Sequence, residues 1–110
     1  MAADDPAVEP QLDHEGFLKE YRQWNEAAAE RIAADSRIAL TAVHWQVLHA
    51  ARAYYERYER SPEMRPFINW LRREGPQDQG SSIALMTLFP DETVRLISKI
   101  AGLPKPSSCL

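Results

Sequence analysis

The sequence predicts a mainly α fold: a small orthogonal bundle of five helices, preceded by a short β-hairpin and followed by a mobile C-terminal arm. Three observations predict it. Apolar residues recur at helical spacing through most of the chain. Pro, Gly, Ser and Asp punctuate that pattern at intervals suited to short helices. Strand-like alternation is scarce, and its best candidate is the stretch VEPQLDHEGF, read as a hairpin around His14–Gly16. At 110 residues with 45% apolar content, the chain fits one domain with a thin core. The expected division is a flexible N-terminus over residues 1–11, a helical domain over 12–102 and an arm over 103–110.

The first helix is expected from Leu18 to Ala34, because Phe17, Tyr21, Trp24, Ala28 and Ile32 repeat at helical spacing and alanines fill the gaps. Thr41 suits the N-cap of the second helix, which runs to Glu59 with Val47, Ala51, Tyr54 and Tyr58 on one face. Ser61 and Pro62 read as N-cap and first residue of the third helix. That helix carries Met64, Phe67, Ile68 and Leu71, and stops at Gly75-Pro76. Pro66 falls in its first turn, where a missing N–H costs little. The fourth helix lies in SSIALMTLF and ends at Pro90. Asp91 then caps the fifth helix, which turns Val94, Ile97 and Ile100 inward and closes on Gly102, with Pro104 just beyond.

The formal charge is −3, unevenly placed. Residues 1–36 carry nine acids and three bases, whereas residues 37–110 carry ten bases and seven acids. The basic excess of the second part is too small to demand nucleic acid. No apolar run approaches the roughly 18 residues of a membrane span, and no signal peptide precedes the acidic start, so a soluble, cytoplasmic protein is expected. The single cysteine excludes an internal disulfide and fits a reducing compartment.

Most constellations that might carry chemistry read better as structure. His44 and His49 are separated by about 140° around a helix, which is not the i, i+4 arrangement of a helical metal site. No metal is expected. Glu56 with Glu59, and Asp91 with Glu92, read as solvated or dipole-facing acids. The tryptophans and tyrosines sit at core spacing rather than forming a base-stacking set. The second and third helices, joined at ERSPEM, resemble a helix-turn-helix with Arg65, Asn69, Arg72 and Arg73 outward. Glu63 and Glu74 flank those arginines, and the chain as a whole is acidic.

The remaining feature is the tail, KIAGLPKPSSCL. It places the only thiol, Cys109, next to the C-terminus. The seven residues from Pro104 to Leu110 reach about 20 Å when extended, at roughly 3.3 Å each. Pro104 and Pro106 stiffen the root, and Ser107 and Ser108 leave the tip unhindered. The neighbouring carboxylate of Leu110 raises the thiol pKa, so a working thiolate needs a cation. Lys105, arginines of the folded body such as Arg65, or a partner protein could supply it. A reachable thiol suits a group carrier; an inert exposed cysteine is the alternative.

Three stretches, GFLKEYRQWNEAAAERIA, LTAVHWQVLHAARAYYERYERSPEMRPFI and LFPDETVRLISKIAGLPKPSSCL, resemble the TusE/DsrC family of sulfur-relay proteins from about Asp13 to Leu110. The most specific pieces are KIAGLPKP with the penultimate cysteine, HW in the second helix and SPEMR opening the third. The resemblance implies a sulfurtransferase without a cofactor, in which Cys109 carries sulfane sulfur as a persulfide. It implies a donor like the TusBCD complex and a tRNA 2-thiouridylase-like acceptor. Members acting in sulfite reduction carry a second arm cysteine, with ten residues between the two. Here that position is Ser98, which favours a one-thiol, TusE-like carrier. The alternatives are a paralogue serving sulfur oxidation and a regulatory protein- or DNA-binding module without thiol chemistry.

Overall fold

The computed structural model describes residues 10–106. Five α-helices follow one another: α1 (Glu26–Asp35), α2 (Ala42–Tyr58), α3 (Met64–Glu74), α4 (Ser82–Leu88) and α5 (Thr93–Ile100), with single 3-10 turns at Tyr21–Gln23 and Gln77–Gln79. Helix α2 is the central element, with α5 and α3 packed against it, and α5 also meets α1. The core lies where they cross. Phe67, Phe89, Ile32, Leu48, Leu71, Leu85, Ile97 and Ile100 are fully buried there. Each such side chain contributes about 1.5–3 kcal/mol through the apolar area it removes from water.

Local chemistry explains most helix boundaries. Thr41 caps α2, accepting from the His44 backbone N–H, while the His44 ring accepts from the Thr41 N–H in return. Two orphan donors of the first turn are thereby satisfied. At the other end Glu59 adopts the left-handed conformation, φ 57°. Ser81 caps α4 through the Ala84 N–H. Gly102 follows α5 at φ 74°, a conformation that costs glycine little.

Three expected starts differ. The first helix begins at Glu26, not Leu18, because the Asn25 side chain accepts from the Ala28 N–H and caps it there. Before it, Trp24 is extended, at φ −67° and ψ 139°, which carries its ring onto the end of α5. The third helix begins at Met64 rather than Pro62. Pro62 is buried and the Ser61 hydroxyl donates to the Pro104 carbonyl instead of capping. Asp91 does not cap α5: it is left-handed at φ 71°, and the cap position belongs to Glu92. Val94 is only half-buried, and Thr93 and Ser98 take inward places instead.

The expected hairpin is a turn closed by one antiparallel bridge, Leu12 to Leu18, with no strand among the described residues. Gly16 makes the reversal at φ 90°. The Asp13 carboxylate accepts from the N–H groups of Glu15 and Phe17, at 2.8 and 2.9 Å. Phe17 anchors the turn by burying its ring beneath the cations of Arg95 and Lys99, 5.2 and 5.6 Å from the ring centre.

Candidate functional site

The expected site lies at the C-terminus. Cys109 falls outside the described residues, as do Ser107, Ser108 and Leu110. The root of the arm is described as far as Pro106, and it is packed. Leu103 is fully buried and its N–H donates to the Ser98 carbonyl at 2.9 Å. Pro104 receives the Ser61 hydroxyl on its carbonyl, and Pro106 is buried.

The helix end that launches the arm is held by side chains from elsewhere. The Trp24 indole N–H donates to the Ile100 carbonyl at 2.9 Å, and the Arg52 guanidinium donates to the Ala101 carbonyl at 2.8 Å. These carbonyls have no partner within the helix, and a cation suits the negative end of its dipole. Arg52 is itself clamped, 4.2 Å from the ring centres of both Tyr21 and Trp24. Burial pulls its pKa down, and the nearby Tyr21 and Glu56 oppose that shift. The Tyr21 hydroxyl donates to Glu56 at 2.7 Å. Desolvation and this bond push the Tyr21 pKa up to about 12.

Of the two cation candidates, Lys105 lies on the arm root and is engaged. Its ammonium is 3.0 and 3.2 Å from the two oxygens of Glu15. Arg95 of α5 approaches the same carboxylate at 3.3 Å and Glu92 at 3.3 Å. The hydrogen bond from Lys105, opposed by desolvation and aided by the charges of Lys105 and Arg95, holds the Glu15 carboxyl below its ordinary pKa. Arg65 is exposed on the first turn of α3 and does not line the groove beside the arm root. That groove is formed by Tyr55, Glu59, Arg60, Ser61, Glu63, Pro104 and Lys105. A second groove shares Tyr55 and Glu59 and continues past Glu56, Arg52, Tyr21 and Arg22. Sequence periodicity does not single out Glu15 or Arg60, because what places them here is the meeting of distant segments.

The His44 ring is buried, with Nδ1 facing the Thr41 hydroxyl at 2.8 Å and Nε2 facing the Leu88 carbonyl at 2.9 Å. His49 is exposed, near Glu26 and stacked on Trp45. Among the described residues no group of three or more His, Cys, Asp or Glu could hold a metal ion, and no helix is long and apolar enough to cross a membrane. Tyr54 packs edge-on against Phe67 and Trp70, as core rather than as a stacking platform. Arg72 donates to the Gly80 carbonyl at 2.8 Å and so fastens the loop after α3. Ser98 is fully buried in α5.

The model for the family described as DsrC like protein matches residues 7–110. This chain belongs to that family. It is 39% identical over 103 residues to the sulfurtransferase TusE homolog of Haemophilus influenzae, covering 94% of each chain. With the sulfurtransferase TusE of Salmonella paratyphi A it shares 41% identity over 98 residues, covering 89% of this chain and 90% of the relative. Among solved structures, the NMR structure of Allochromatium vinosum DsrC superposes with a TM-score of 0.82 at 30% identity, over 94% of this chain and 96% of that one. The oxidized DsrC of Archaeoglobus fulgidus, a gamma-subunit of dissimilatory sulfite reductase, gives 0.75 at 33% identity, over 92% of both. The TusE/DsrC resemblance and the α fold are thereby established.

Proposed function

We propose that this chain is a sulfur carrier of a TusE-like relay, with Cys109 as the carrying group. The observation that carries the reading is positional. The only thiol of the chain follows, four residues on, a segment fastened to the domain through Leu103, Pro104 and Lys105. Its relatives named as TusE sulfurtransferases match over nearly their whole length. In this reading residues 12–102 are the docking body and residues 103–110 the arm.

The chemistry requires thiolate and access. The Cys109 thiolate attacks the outer sulfur of a donor persulfide. A new S–S bond forms at Cys109, the donor's own S–S bond breaks, and the donor leaves as thiolate. The same exchange, run toward an acceptor, unloads the arm. Sulfane sulfur moves without net oxidation, and no cofactor is needed. Because the chain has no second cysteine, no internal thiol can displace the carried sulfur. Lys105 is the cation adjoining the thiol along the chain, and Arg65 is an exposed cation for contact with a docked partner. The donor is a TusBCD-like complex and the acceptor a tRNA 2-thiouridylase, in the cytoplasm.

The test is a reconstituted relay of cysteine desulfurase, TusBCD, this protein, thiouridylase and tRNA, read as 2-thiouridine formed. The wild-type chain should support formation, and Cys109→Ser should reduce it to the level without carrier. Wild-type protein that loads sulfur yet forms no 2-thiouridine would exclude the tRNA acceptor and favour a sulfur-oxidation partner.

A further inference from the structure

Helix α4 turns an apolar face to solvent. Ile83 and Met86 are 80% and 50% exposed, two of the three large apolar side chains so exposed among the described residues. With Thr87 they stand at i, i+3 and i+4 and so share one face, while Leu85 on the opposite side is fully buried. Pro90, exposed just past the helix, lines with Ile38 and Leu96 a pocket that Arg37, Asp91 and Glu92 border.

Single apolar residues on a surface need no explanation. This face differs in its charge, its support and its hydrogen bonding. Residues 79–90 carry no charged side chain, in a chain that is 26% charged, and depletion of charge marks the core of an interface. The helix is pinned at both ends. Arg72 holds the Gly80 carbonyl before it at 2.8 Å, Ser81 caps its first turn, and the His44 ring meets the Leu88 carbonyl at its end, 2.9 Å away. The Thr87 hydroxyl already donates to the Ile83 carbonyl at 2.8 Å. Covering Ile83, Met86 and Thr87 therefore leaves that hydroxyl paired.

Size, charge and place select the occupant. A seven-residue helix is about 10 Å long, too short to supply the roughly 800 Å² that each copy of a stable dimer buries. A nucleic acid meets no cation on the stripe. What fits is a protein whose own apolar, uncharged groove takes up two adjacent anchors. The face also lies far from the arm root. His44, in the first turn of α2, meets the end of α4, whereas Ser61, past the other end of α2, meets Pro104. The 17 residues of α2 separate these contacts by about 25 Å.

We propose that the outward face of α4 is a docking surface for a relay partner, which takes Ile83 and Met86 into an apolar groove at the end of α2 away from the arm root. The partner's role rests on the relay reading; the surface itself does not depend on Cys109.

The experiment reads affinity without sulfur transfer. The full chain carrying Cys109→Ser is titrated by biolayer interferometry against the TusBCD-like donor complex and, separately, against the thiouridylase. The comparison is the same chain with Ile83→Gln and Met86→Gln; both positions are exposed, so its urea midpoint should match. The altered face should bind one of the two partners about tenfold more weakly. Equal affinities for both partners overturn the surface and leave the relay reading intact. Binding of neither partner by the unaltered face overturns the relay reading, and the proposal with it. Self-association in sedimentation that the altered face abolishes would assign the surface to a second copy and also overturn the proposal.

Discussion

The ring of Trp24 covers Gly102 so closely that a Cβ on the glycine would be driven into the indole. The two residues lie at opposite ends of the domain sequence. Their contact joins the entry to α1 with the exit from α5, and the Trp24 N–H on the Ile100 carbonyl fixes it. Gly102 also sits at φ 74°. Gly102→Ala therefore meets two costs, left-handed strain and displacement of the ring. It should destabilise the domain by about 2–3 kcal/mol, measured as a lower urea midpoint. The same change should loosen the arm root, read as faster amide exchange at Leu103.

Arg52 is the second support of that helix end. Its flat guanidinium stacks between Tyr21 and Trp24 while donating to Ala101. A lysine keeps the charge but cannot stack on two rings and reach the carbonyl in the same geometry. Arg52→Lys should cost about 1–2 kcal/mol in denaturant unfolding. An unchanged midpoint would show that charge alone is what the site uses.

Tyr21 supplies a pH test. Its folded-state pKa is raised to about 12 from an ordinary 10.0. The folded form thus keeps the proton where the unfolded chain has lost it. The stabilisation linked to Tyr21 is complete below pH 10 and is lost as pH rises from there through about 12. A spectrophotometric titration of the phenols should show a late component, and Tyr21→Phe should reduce it, leaving the share of Tyr54, whose pKa burial also raises. Stability between those pH values should fall less steeply in the variant.

Ser98 offers the opposite sign of effect. Its Oγ is buried and has no hydrogen-bond partner among the described residues. An unpaired buried hydroxyl opposes folding. Ser98→Ala should therefore leave stability unchanged or raise it by up to about 1 kcal/mol, as read from the urea midpoint. A loss larger than that would reveal a partner for the hydroxyl.

Features written in neighbouring residues were legible in the sequence. Thr41 and Gly102 mark helix ends because capping is decided within a turn or two, and Gly75-Pro76 stops α3 for the same reason. The start of α1 was not legible. Apolar residues at helical spacing run on past Asn25 in both directions, and what breaks the helix is Trp24 extending toward α5. Ser61 looked like a cap, yet its hydroxyl goes to Pro104, 43 residues away. Cys109 and Lys105 were visible in the tail as a penultimate thiol and an arm cation. Glu15 was not, because a pairing across 90 residues leaves no mark on periodicity. Arg65 drew attention by its motif, whereas the groove at the arm root takes Arg60.

The central claim is that Cys109 carries sulfur, and intact mass tests it most directly. The protein is incubated with cysteine desulfurase, free cysteine and a relay donor, with Cys109→Ser in parallel. The account predicts a gain of one sulfur atom, located in the C-terminal peptide, removed by reductant and absent from the variant. No gain with a competent donor, or an equal gain in Cys109→Ser, would contradict it.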